Sequence, residues 1–387
     1  MRRSCATASG KRSRTPSSPR SGTAPRPAPY LDDPLLFPYL PDPSSAQRAA
    51  RLGLPRIARL DANETHLGPF PAALEAAREG VSQAHRYPEH GGALLERLAE
   101  RHRVSEDSIM VGHGADALIA HLATAFLEPG AEAVMPLPSF VGYAQDVLRV
   151  GGRAVEVPVR ADGSLDLPAM AARVTKRTRL VFVCNPNNPT GGMVRRAELE
   201  AFLEEVPARV LVVLDEAYAD YVEDPSYEGG PALAIERSNV AVLRTFSKLF
   251  GLAGLRVGYL IGATEVVAAA RRMRHWYDVS DAAHLAAAAS LDDPAEAARR
   301  VVATRLARVR LTEILAGHAL SVFPSVASFV AVPVTDANAL AEHLATHGVL
   351  VRALSHPSGD LVRIVAGDDA DLAMLDVALG SFPGVAR

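Results

Sequence analysis

VAVLRTFSKLFGLAGLRVG, residues 240–258, is the stretch that decides the fold. Its first four residues form an apolar β-type run, the polar side chains Thr245, Ser247 and Lys248 follow, and a glycine-spaced segment ends at Arg256. This pattern predicts a strand that carries reactive groups to its carboxyl end. Two hydroxyls and an arginine around one lysine could bind a phosphate dianion and leave the amine free for carbonyl chemistry. Pyridoxal phosphate is the cofactor that needs both features. A buried strand followed by a solvated lysine is the alternative that this stretch leaves open.

Composition indicates a soluble globular protein of the size of an enzyme. The chain has 387 residues, of which 48% are hydrophobic and 22% charged, enough to bury two domain cores. The net charge of −3 gives no general basic surface for nucleic acid, and no apolar run has the length of a membrane helix. Cys5 and Cys184 lie far apart in neither a disulfide nor a zinc pattern, so we expect no metal and a reducing cytoplasm.

The first 28 residues differ from the rest. They are rich in arginine, serine and proline and contain no acidic residue, which predicts a disordered, solvated tail. Arg2 and Arg3 resemble a twin-arginine signal, but no apolar segment follows, so we expect no export. Two interpretations remain: a start codon assigned too far upstream, or an arm that binds anions weakly.

Polar clusters follow the apolar runs of the central region. The runs Leu180–Cys184, Val210–Leu214 and Val240–Leu243 are unbroken and alternate with helical segments, which predicts a parallel sheet covered on both faces. Ligands of such sheets bind beyond the carboxyl ends of the strands. The polar groups after each run should therefore meet at one edge of the sheet.

A glycine turn precedes this region. Residues 108–116 read as a strand, a tight turn and a helix N-terminus, where free backbone N–H groups favour anions. Gly112 and Gly114 would let the chain approach a phosphate closely. Any strand-to-helix turn can contain such glycines, so packing remains the alternative.

The C-terminal third predicts a smaller α+β unit. Beyond Leu260 the chain is alanine-rich and helical to about residue 317, with Asp293 and Pro294 marking a helix start. Strands follow near 329–334, 349–352 and 361–365. Arg352 and Arg363 are expected to close two of them.

Eight motifs occur in an order that resembles the fold-type I, class I and II aminotransferases, most closely the histidinol-phosphate aminotransferase branch. They are Leu60-Asp-Ala-Asn-Glu, Arg86-Tyr-Pro, Gly112-His-Gly-Ala-Asp, Pro138-Ser-Phe, Cys184-Asn-Pro-Asn-Asn-Pro-Thr-Gly, Asp215-Glu-Ala-Tyr, the lysine stretch and Val362-Arg-Ile. The resemblance implies an α/β aspartate-aminotransferase-like fold with a mostly parallel, seven-stranded-type sheet between helical layers. It also implies an arm at 29–65, a large cofactor domain at 66–285 and a small domain at 286–387.

The resemblance implies a role for each cofactor-site residue. Lys248 would form the Schiff base and move the proton at Cα, Asp215 would pair with the pyridinium nitrogen, and Tyr218 with Asn188 would hydrogen-bond the phenolic oxygen. Phe140 would stack on the ring. The groups expected around the phosphate are Thr245, Ser247, Arg256, the backbone at Gly114, Ala115 and Asp116, and Tyr87 from a neighbouring subunit, which implies a homodimer.

Substrate residues follow from the same resemblance. Arg363 would grip the substrate carboxylate, or an anion in its place, Arg352 would face a distal anion, and Tyr39 would lie in the closing arm. Asn188 would also contact substrate. Surface ion pairs are the alternative for the two arginines.

The chain departs from the branch near the expected substrate entrance and in the glycine turn. Trp276 and Asp278 replace members of a Pro-aromatic-Asn step, and Ala115 and Ala117 replace a serine and a glutamate. None of these changes touches the lysine chemistry.

We therefore expect an aminotransferase that exchanges an amino group between an amino acid or amino-alcohol phosphate, histidinol-phosphate-like or aromatic, and a 2-oxo acid such as 2-oxoglutarate. A decarboxylase resembling threonine-phosphate decarboxylase, or a secondary-metabolism cyclase or oxidase, would share these motifs. A non-enzymatic ligand sensor that binds DNA is a third hypothesis, disfavoured by the intact lysine motif and the short tail.

Overall fold

A computed structural model describes residues 36, 42–89, 91–356 and 359–383. The predictions for the tail and for Tyr39 fall outside these residues. The strands, in chain order, are β1 Ala58–Arg59, β2 Ile109–Gly112, β3 Glu132–Leu137, β4 Arg153–Pro158, β5 Thr178–Cys184, β6 Leu211–Asp215, β7 Val240–Thr245, β8 Gly258–Gly262, β9 Phe329–Val334, β10 Val349–Leu350, β11 Arg352–His356 and β12 Gly359–Val365. The helices are α1 Ser45–Leu52, α2 Pro71–Ser82, α3 Gly91–His102, α4 Gly114–Phe126, α5 Gly142–Arg149, α6 Leu167–Ala172, α7 Arg196–Glu205, α8 Pro231–Glu236, α9 Thr264–Arg271, α10 Asp281–Leu291, α11 Pro294–Gly317, α12 Ala337–Thr346 and α13 Asp369–Gly380.

A seven-stranded sheet forms the centre of the fold. Its strand order is β2-β8-β7-β6-β5-β3-β4, and β8 alone runs antiparallel to both of its neighbours. The predicted mostly parallel sheet is confirmed. Parallel neighbours place the carboxyl ends of β5, β6 and β7 at one edge, which is where Cys184, Asp215 and Thr245 end their strands.

Both faces of this sheet are buried, as the unbroken apolar runs predict. Successive residues of a strand point to opposite faces. In β6, Val212 and Leu214 join one hydrophobic cluster while Leu211 and Val213 join another. The buried strands β6 and β7 therefore carry their polar side chains at their carboxyl ends, where the cavity opens.

The connection between β7 and β8 explains why the lysine stretch folds back on itself. Thr245 pairs with Gly258 across the antiparallel strands. The twelve residues between them therefore form a loop that begins and ends at the same edge of the sheet. The backbone N–H of Phe246 donates to Val257 at 3.1 Å and closes the base of the loop. Lys248 and Arg256 are thereby held on one side of the sheet edge.

A smaller antiparallel sheet, β11-β12-β9, follows the long helix α11. The predicted helix start is confirmed, because the Asp293 side chain accepts a hydrogen bond from the backbone N–H of Glu296 at 3.0 Å. The predicted strand at 349–352 is wrong as one element: Val349–Leu350 pairs with β1, and Arg352 begins β11. Arg363 lies inside β12 and does not close it, because β12 continues in register with β9 to Val365.

No helix within the described ranges is long and apolar enough to cross a membrane. Among the same residues, no group of three or more histidine, cysteine, aspartate or glutamate side chains has the geometry of a metal site.

Candidate active site

A cavity of about 730 Å³ opens at the carboxyl ends of β5, β6 and β7. It brings together most of the residues that the sequence predicts. Those that line it are Ala115, Asp116, Phe140, Asn188, Asp215, Tyr218, Thr245, Ser247, Lys248, Arg256, Arg352 and Arg363. Groups from both sheets therefore face one space.

Lys248 lies on the loop between β7 and β8. Its Nζ donates a hydrogen bond to the carbonyl of Asn63 at 3.3 Å and lies 5.7 Å from the centre of the Tyr218 ring. Burial, together with the positive charge of Arg363, lowers the pKa of Lys248 to about 8. A substantial fraction of this amine is neutral near physiological pH, and a neutral amine is the form that attacks a carbonyl.

Asp215 ends β6 in a buried position. Its Oδ2 accepts a hydrogen bond from the Tyr143 hydroxyl at 2.5 Å, and its Oδ1 accepts from the backbone N–H of Ala217 at 3.1 Å. Burial raises the pKa of Asp215 to about 6, against the opposing effect of these hydrogen bonds. A cationic N–H would favour the ionised carboxylate in this position.

Tyr143 is a site residue that the sequence analysis missed. It is fully buried on α5, its ring stacks on Phe182 with centroids 4.6 Å apart, and it meets the edge of Phe140 at 5.4 Å. The only sequence signal was its position three residues after Phe140 at the start of a helix. Tyr143 thus contacts both Asp215 and Phe140, the residues expected at the nitrogen and on the face of a bound ring.

Asn63 is the second residue that the sequence analysis missed. It contacts Tyr218 and Asn188 and is linked through Asn188 to Arg363. Its Nδ2 donates to the Tyr218 hydroxyl at 2.6 Å and lies 3.5 Å from Asn188 Oδ1. Asn188 Oδ1 also accepts from Arg363 Nη1 at 2.7 Å. Its signal was the Leu60-Asp-Ala-Asn-Glu motif, in which no function was assigned to the asparagine.

Arg363 lines the cavity and has one buried donor that is unsatisfied among the described residues. Its Nη2 donates to the backbone oxygen of Asp61, whereas its buried Nε has no hydrogen-bond partner among the described residues. Arg352 lies directly opposite Arg363 in the register of β11 and β12. Like charges in this position repel each other, and a buried N–H without an acceptor is costly, so an anion between them would relieve both.

The expected phosphate end lies where α4 begins. Thr245 Oγ1 donates to Ser247 Oγ at 3.0 Å, and Arg256 Nη2 donates to Asp116 Oδ2 at 2.7 Å. Gly114 has φ +75°, and a Cβ added there would lie 2.6 Å from the Arg256 guanidinium. Free N–H groups at the start of α4, two hydroxyls and one arginine form an anion site of the kind a phosphate needs.

The prediction that Gly112 provides room for a phosphate is wrong. A Cβ added at Gly112 would lie 2.7 Å from the Leu118 side chain, so glycine there allows α4 to pack on β2. Of the two glycines in this turn, Gly114 is the one that adjoins the arginine.

Tyr87, Trp276 and Asp278, which the sequence analysis singled out, lie away from the cavity. Tyr87 is 72% exposed and stacks on Tyr277 with ring centroids 4.4 Å apart. Trp276 is 88% exposed, and Asp278 contacts His113 through its backbone oxygen at 3.0 Å. None of them lines the cavity of a single chain.

The groups that line the cavity are those that pyridoxal phosphate needs. They combine a buried amine of lowered pKa, a buried carboxylate in the same cavity and an anion site at a helix N-terminus. The unsatisfied Arg363 Nε adds a second anion site, separate from the first.

Comparison with known proteins agrees with this geometry. Residues 55–379 match the sequence model of the family described as aminotransferase class I and II. The chain is 40% identical to histidinol-phosphate aminotransferase 2 of Carboxydothermus hydrogenoformans, over 86% of this chain and 92% of the relative. It is 43% identical to an aromatic amino acid aminotransferase of Thermobifida fusca, over 84% of this chain and 90% of that protein. The crystal structure of histidinol-phosphate aminotransferase from Sinorhizobium meliloti in complex with pyridoxal-5'-phosphate superposes with a TM-score of 0.80 at 29% identity, covering 89% of this chain and 95% of the other.

Proposed function

This chain belongs to the class I and II aminotransferases, enzymes that use pyridoxal phosphate, and we propose that it moves an amino group from an amino acid or amino-alcohol phosphate to a 2-oxo acid such as 2-oxoglutarate. The observation that carries this proposal is that Lys248, Asp215 and Arg363 line one cavity. An amine, a carboxylate and an anion-binding guanidinium in that arrangement suit chemistry at the Cα of an amino acid.

Bound pyridoxal phosphate supplies a carbonyl that condenses with amines and a ring that accepts the electrons of Cα. In our proposal Thr245, Ser247, Arg256 and the N-terminus of α4 hold its phosphate. Asp215 hydrogen-bonds the ring nitrogen, with Tyr143 fixing the carboxylate, and Phe140 covers one face of the ring.

Lys248 is proposed to bind the cofactor covalently and, once displaced by a substrate amine, to move the proton at Cα. Its lowered pKa suits both roles, because a general base works best with a pKa near the working pH. Tyr218 and Asn188, joined through Asn63, would hydrogen-bond the phenolic oxygen of the ring.

Arg363 is proposed to bind the anionic group of the substrate through its planar guanidinium, which offers the bidentate geometry that lysine could not supply. Arg352 would face a distal anion. Relatives named for histidinol phosphate and for aromatic amino acids both match this chain, so both substrate classes belong in the first assay.

We further propose that the enzyme works as a cytoplasmic homodimer in which Tyr87 reaches the phosphate site of the neighbouring subunit. Its exposure, outside the cavity of its own chain, supports this role. Tyr39, in the arm, remains a predicted substrate contact.

Absorption spectroscopy tests the proposal. The cofactor band of the purified protein is recorded before and after glutamate, histidinol phosphate or phenylalanine is added, with Lys248→Ala as the control. We expect one amine to convert the band to that of the pyridoxamine form and 2-oxoglutarate to restore it. A band that no amine converts, with release of CO₂ from a 1-labelled substrate, would favour the decarboxylase hypothesis instead.

A further inference from the structure

A buried ion pair lies directly behind the proposed cofactor site. Arg244 donates two hydrogen bonds to Glu216 Oε2, from Nε at 2.9 Å and from Nη2 at 2.7 Å. The Glu216 side chain is 2% exposed and the Arg244 side chain 11%. Neither residue lines the cavity, so direct contact with substrate does not explain this pair.

The pair joins two neighbouring strands beyond the end of their ladder. The last register pair of β6 and β7 is Asp215 with Leu243, followed by one hydrogen bond from the Glu216 N–H to the Leu243 carbonyl at 2.9 Å. The backbone of β6 turns away at Ala217, whereas β7 continues to Thr245. The side chains of Glu216 and Arg244 therefore connect the two strands beyond their last backbone hydrogen bond.

Each member of the pair is the chain neighbour of a cofactor-site residue. Glu216 follows Asp215, and Arg244 precedes Thr245. Successive side chains alternate between the faces of a sheet, so the pair lies on one face while Asp215 and Thr245 point to the other. Asp215 and Thr245 are proposed to hold opposite ends of the cofactor, its ring nitrogen and its phosphate.

The surroundings hold the pair in one geometry. Glu216 Oε1 accepts from the Tyr227 hydroxyl at 2.7 Å and from the Gly230 N–H at 2.5 Å, and Arg244 Nη1 lies 3.4 Å from Asp220. A Cβ on Gly230 would lie 3.0 Å from Glu216 Oε1, so glycine allows the loop to approach. Every oxygen of Glu216 has a donor, which is the condition under which a buried pair specifies one arrangement.

We propose that Glu216 and Arg244 are positioning residues that fix the separation of the carboxyl ends of β6 and β7, and with it the distance between the groups that bind the two ends of pyridoxal phosphate. This inference rests on the proposed function. Removing the charge of Glu216 lets the strand ends shift and weakens cofactor binding, even though no atom that touches the cofactor has changed.

The chain offers a matched control at the other end of the sheet. Glu132 begins β3, its side chain is 3% exposed, and its Oε1 accepts from Arg177 Nε at 3.0 Å and Nη2 at 2.7 Å. This pair has the same chemistry and burial of its carboxylate, but it lies at the amino end of the strands, away from the site. Glu132→Gln therefore reports the effect on cofactor binding of losing a buried carboxylate and its arginine partner far from the site.

The experiment compares Glu216→Gln with Glu132→Gln, and Arg244→Lys with Arg177→Lys in case a glutamine variant fails to fold. Three quantities are measured: the melting temperature of the cofactor-free protein, the Kd for pyridoxal phosphate, and the pH midpoint of the absorption band of the bound cofactor. We expect all four variants to melt at lower temperature, and the site-side variants by more, because the Arg244 side chain is 11% exposed and that of Arg177 63%. Glu216→Gln and Arg244→Lys should weaken cofactor binding by roughly tenfold or more and shift the pH midpoint, as a small misplacement of binding groups does.

The Glu132 and Arg177 variants should bind the cofactor within about twofold of the wild type and keep its pH midpoint, since no group near the site moves. Equal losses of affinity in the two pairs, or unchanged affinity and midpoint in both site-side variants, would overturn the inference. Failure of the wild-type protein to bind pyridoxal phosphate would instead overturn the proposed function, and the two failures are therefore distinguishable.

Discussion

Asp215 is buried and forms no salt bridge with any residue that the structure describes, and this arrangement costs stability as pH rises. The folded state holds its proton up to a pKa of about 6, whereas the ordinary value is 3.8. Stability contributed by this group is present below the lower value and is lost as pH rises through the upper one. The carboxylate that the cofactor would need is therefore a destabilising group until a cation binds it.

Asp215→Asn should stabilise the cofactor-free protein above pH 6. The expected gain in free energy of unfolding is on the order of 2 kcal/mol at pH 7.5 and close to zero at pH 4, because the wild-type carboxyl is then protonated. Urea unfolding at both pH values measures it. Added pyridoxal phosphate should reverse the order of stability, and an Asn variant that is less stable than the wild type without cofactor at pH 7.5 would contradict this explanation.

Tyr143→Phe removes the hydroxyl that donates to Asp215 at 2.5 Å and changes little else in the packing. That hydrogen bond lowers the pKa of Asp215, so its loss should raise the pKa further. We expect the loss of cofactor affinity on acidification to begin at higher pH in the variant. Titrations of pyridoxal phosphate binding between pH 5 and pH 8 would show this shift, and superimposable profiles would contradict the role of Tyr143.

Most residues proposed to carry the chemistry were predictable from sequence, because they follow an apolar strand or occupy a motif. Tyr143 was not predicted, and Asn63 was recognised only as part of a motif, because their contacts depend on a fold that brings α5 and the loop after β1 to the ends of distant strands. A hydrogen bond across 72 residues, from Tyr143 to Asp215, leaves no local trace in the sequence.

At the level of elements, one arginine of α11 hydrogen-bonds both the loop between β7 and β8, which carries Lys248, and the loop before α2. Arg300 is 1% exposed, and it donates to the carbonyls of Gly68 at 2.5 Å, Pro69 at 3.0 Å and Leu249 at 3.4 Å. Its guanidinium also lies 4.3 Å from the centre of the Phe70 ring. Leu249 follows Lys248, so this arginine supports the loop that carries the reactive amine.

Arg300→Leu should lower the free energy of unfolding by about 3 kcal/mol or more, because several buried carbonyls and Glu296 lose their donor together. Arg299→Leu is the matched control: it pairs with the same Glu296 from an exposed position and should cost less than about 1 kcal/mol. Urea unfolding compares the two variants. Equal costs would show that Arg300 has no special structural role.

Some helices and strands could be predicted from their own residues, and others depend on partners elsewhere in the fold. The unbroken apolar runs of β5, β6 and β7 predicted strands correctly, and the Asp-Pro step marked the start of α11. Strand β8, Gly258–Gly262, was not predicted, because it is short and begins and ends with glycine. It exists because β7 and β2 supply partners on both sides, which only the folded sheet provides.

At the scale of the whole molecule, exposed aromatic side chains point to a second copy of the chain. Tyr87, Trp276 and Tyr277 are all more than half exposed. We expect a particle of about twice the 41.0 kDa chain mass in light scattering at micromolar concentration. A monomer that retains full activity would contradict the proposed dimer. The predicted domain boundaries remain predictions.

Subunit mixing tests the role of Tyr87 across that dimer. Tyr87→Ala and Lys248→Ala should each be impaired alone, but a mixed dimer contains one site with an intact lysine and an intact tyrosine from the neighbour. Co-refolded mixtures should therefore regain activity above the sum of the two variants. Activity that stays at that sum would place Tyr87 in its own subunit's site or outside catalysis.

The attachment site of the cofactor tests the central claim most directly, and this chain is unusually suited to it. It contains three lysines, Lys11, Lys176 and Lys248. Borohydride reduction of the protein loaded with pyridoxal phosphate, followed by proteolysis and mass spectrometry, identifies the lysine that carries the cofactor. We predict the added mass on the peptide of Lys248 at near-unit stoichiometry. An adduct on Lys176 or Lys11 with Lys248 unmodified, or no stoichiometric adduct, would contradict the assignment of this cavity as the active site.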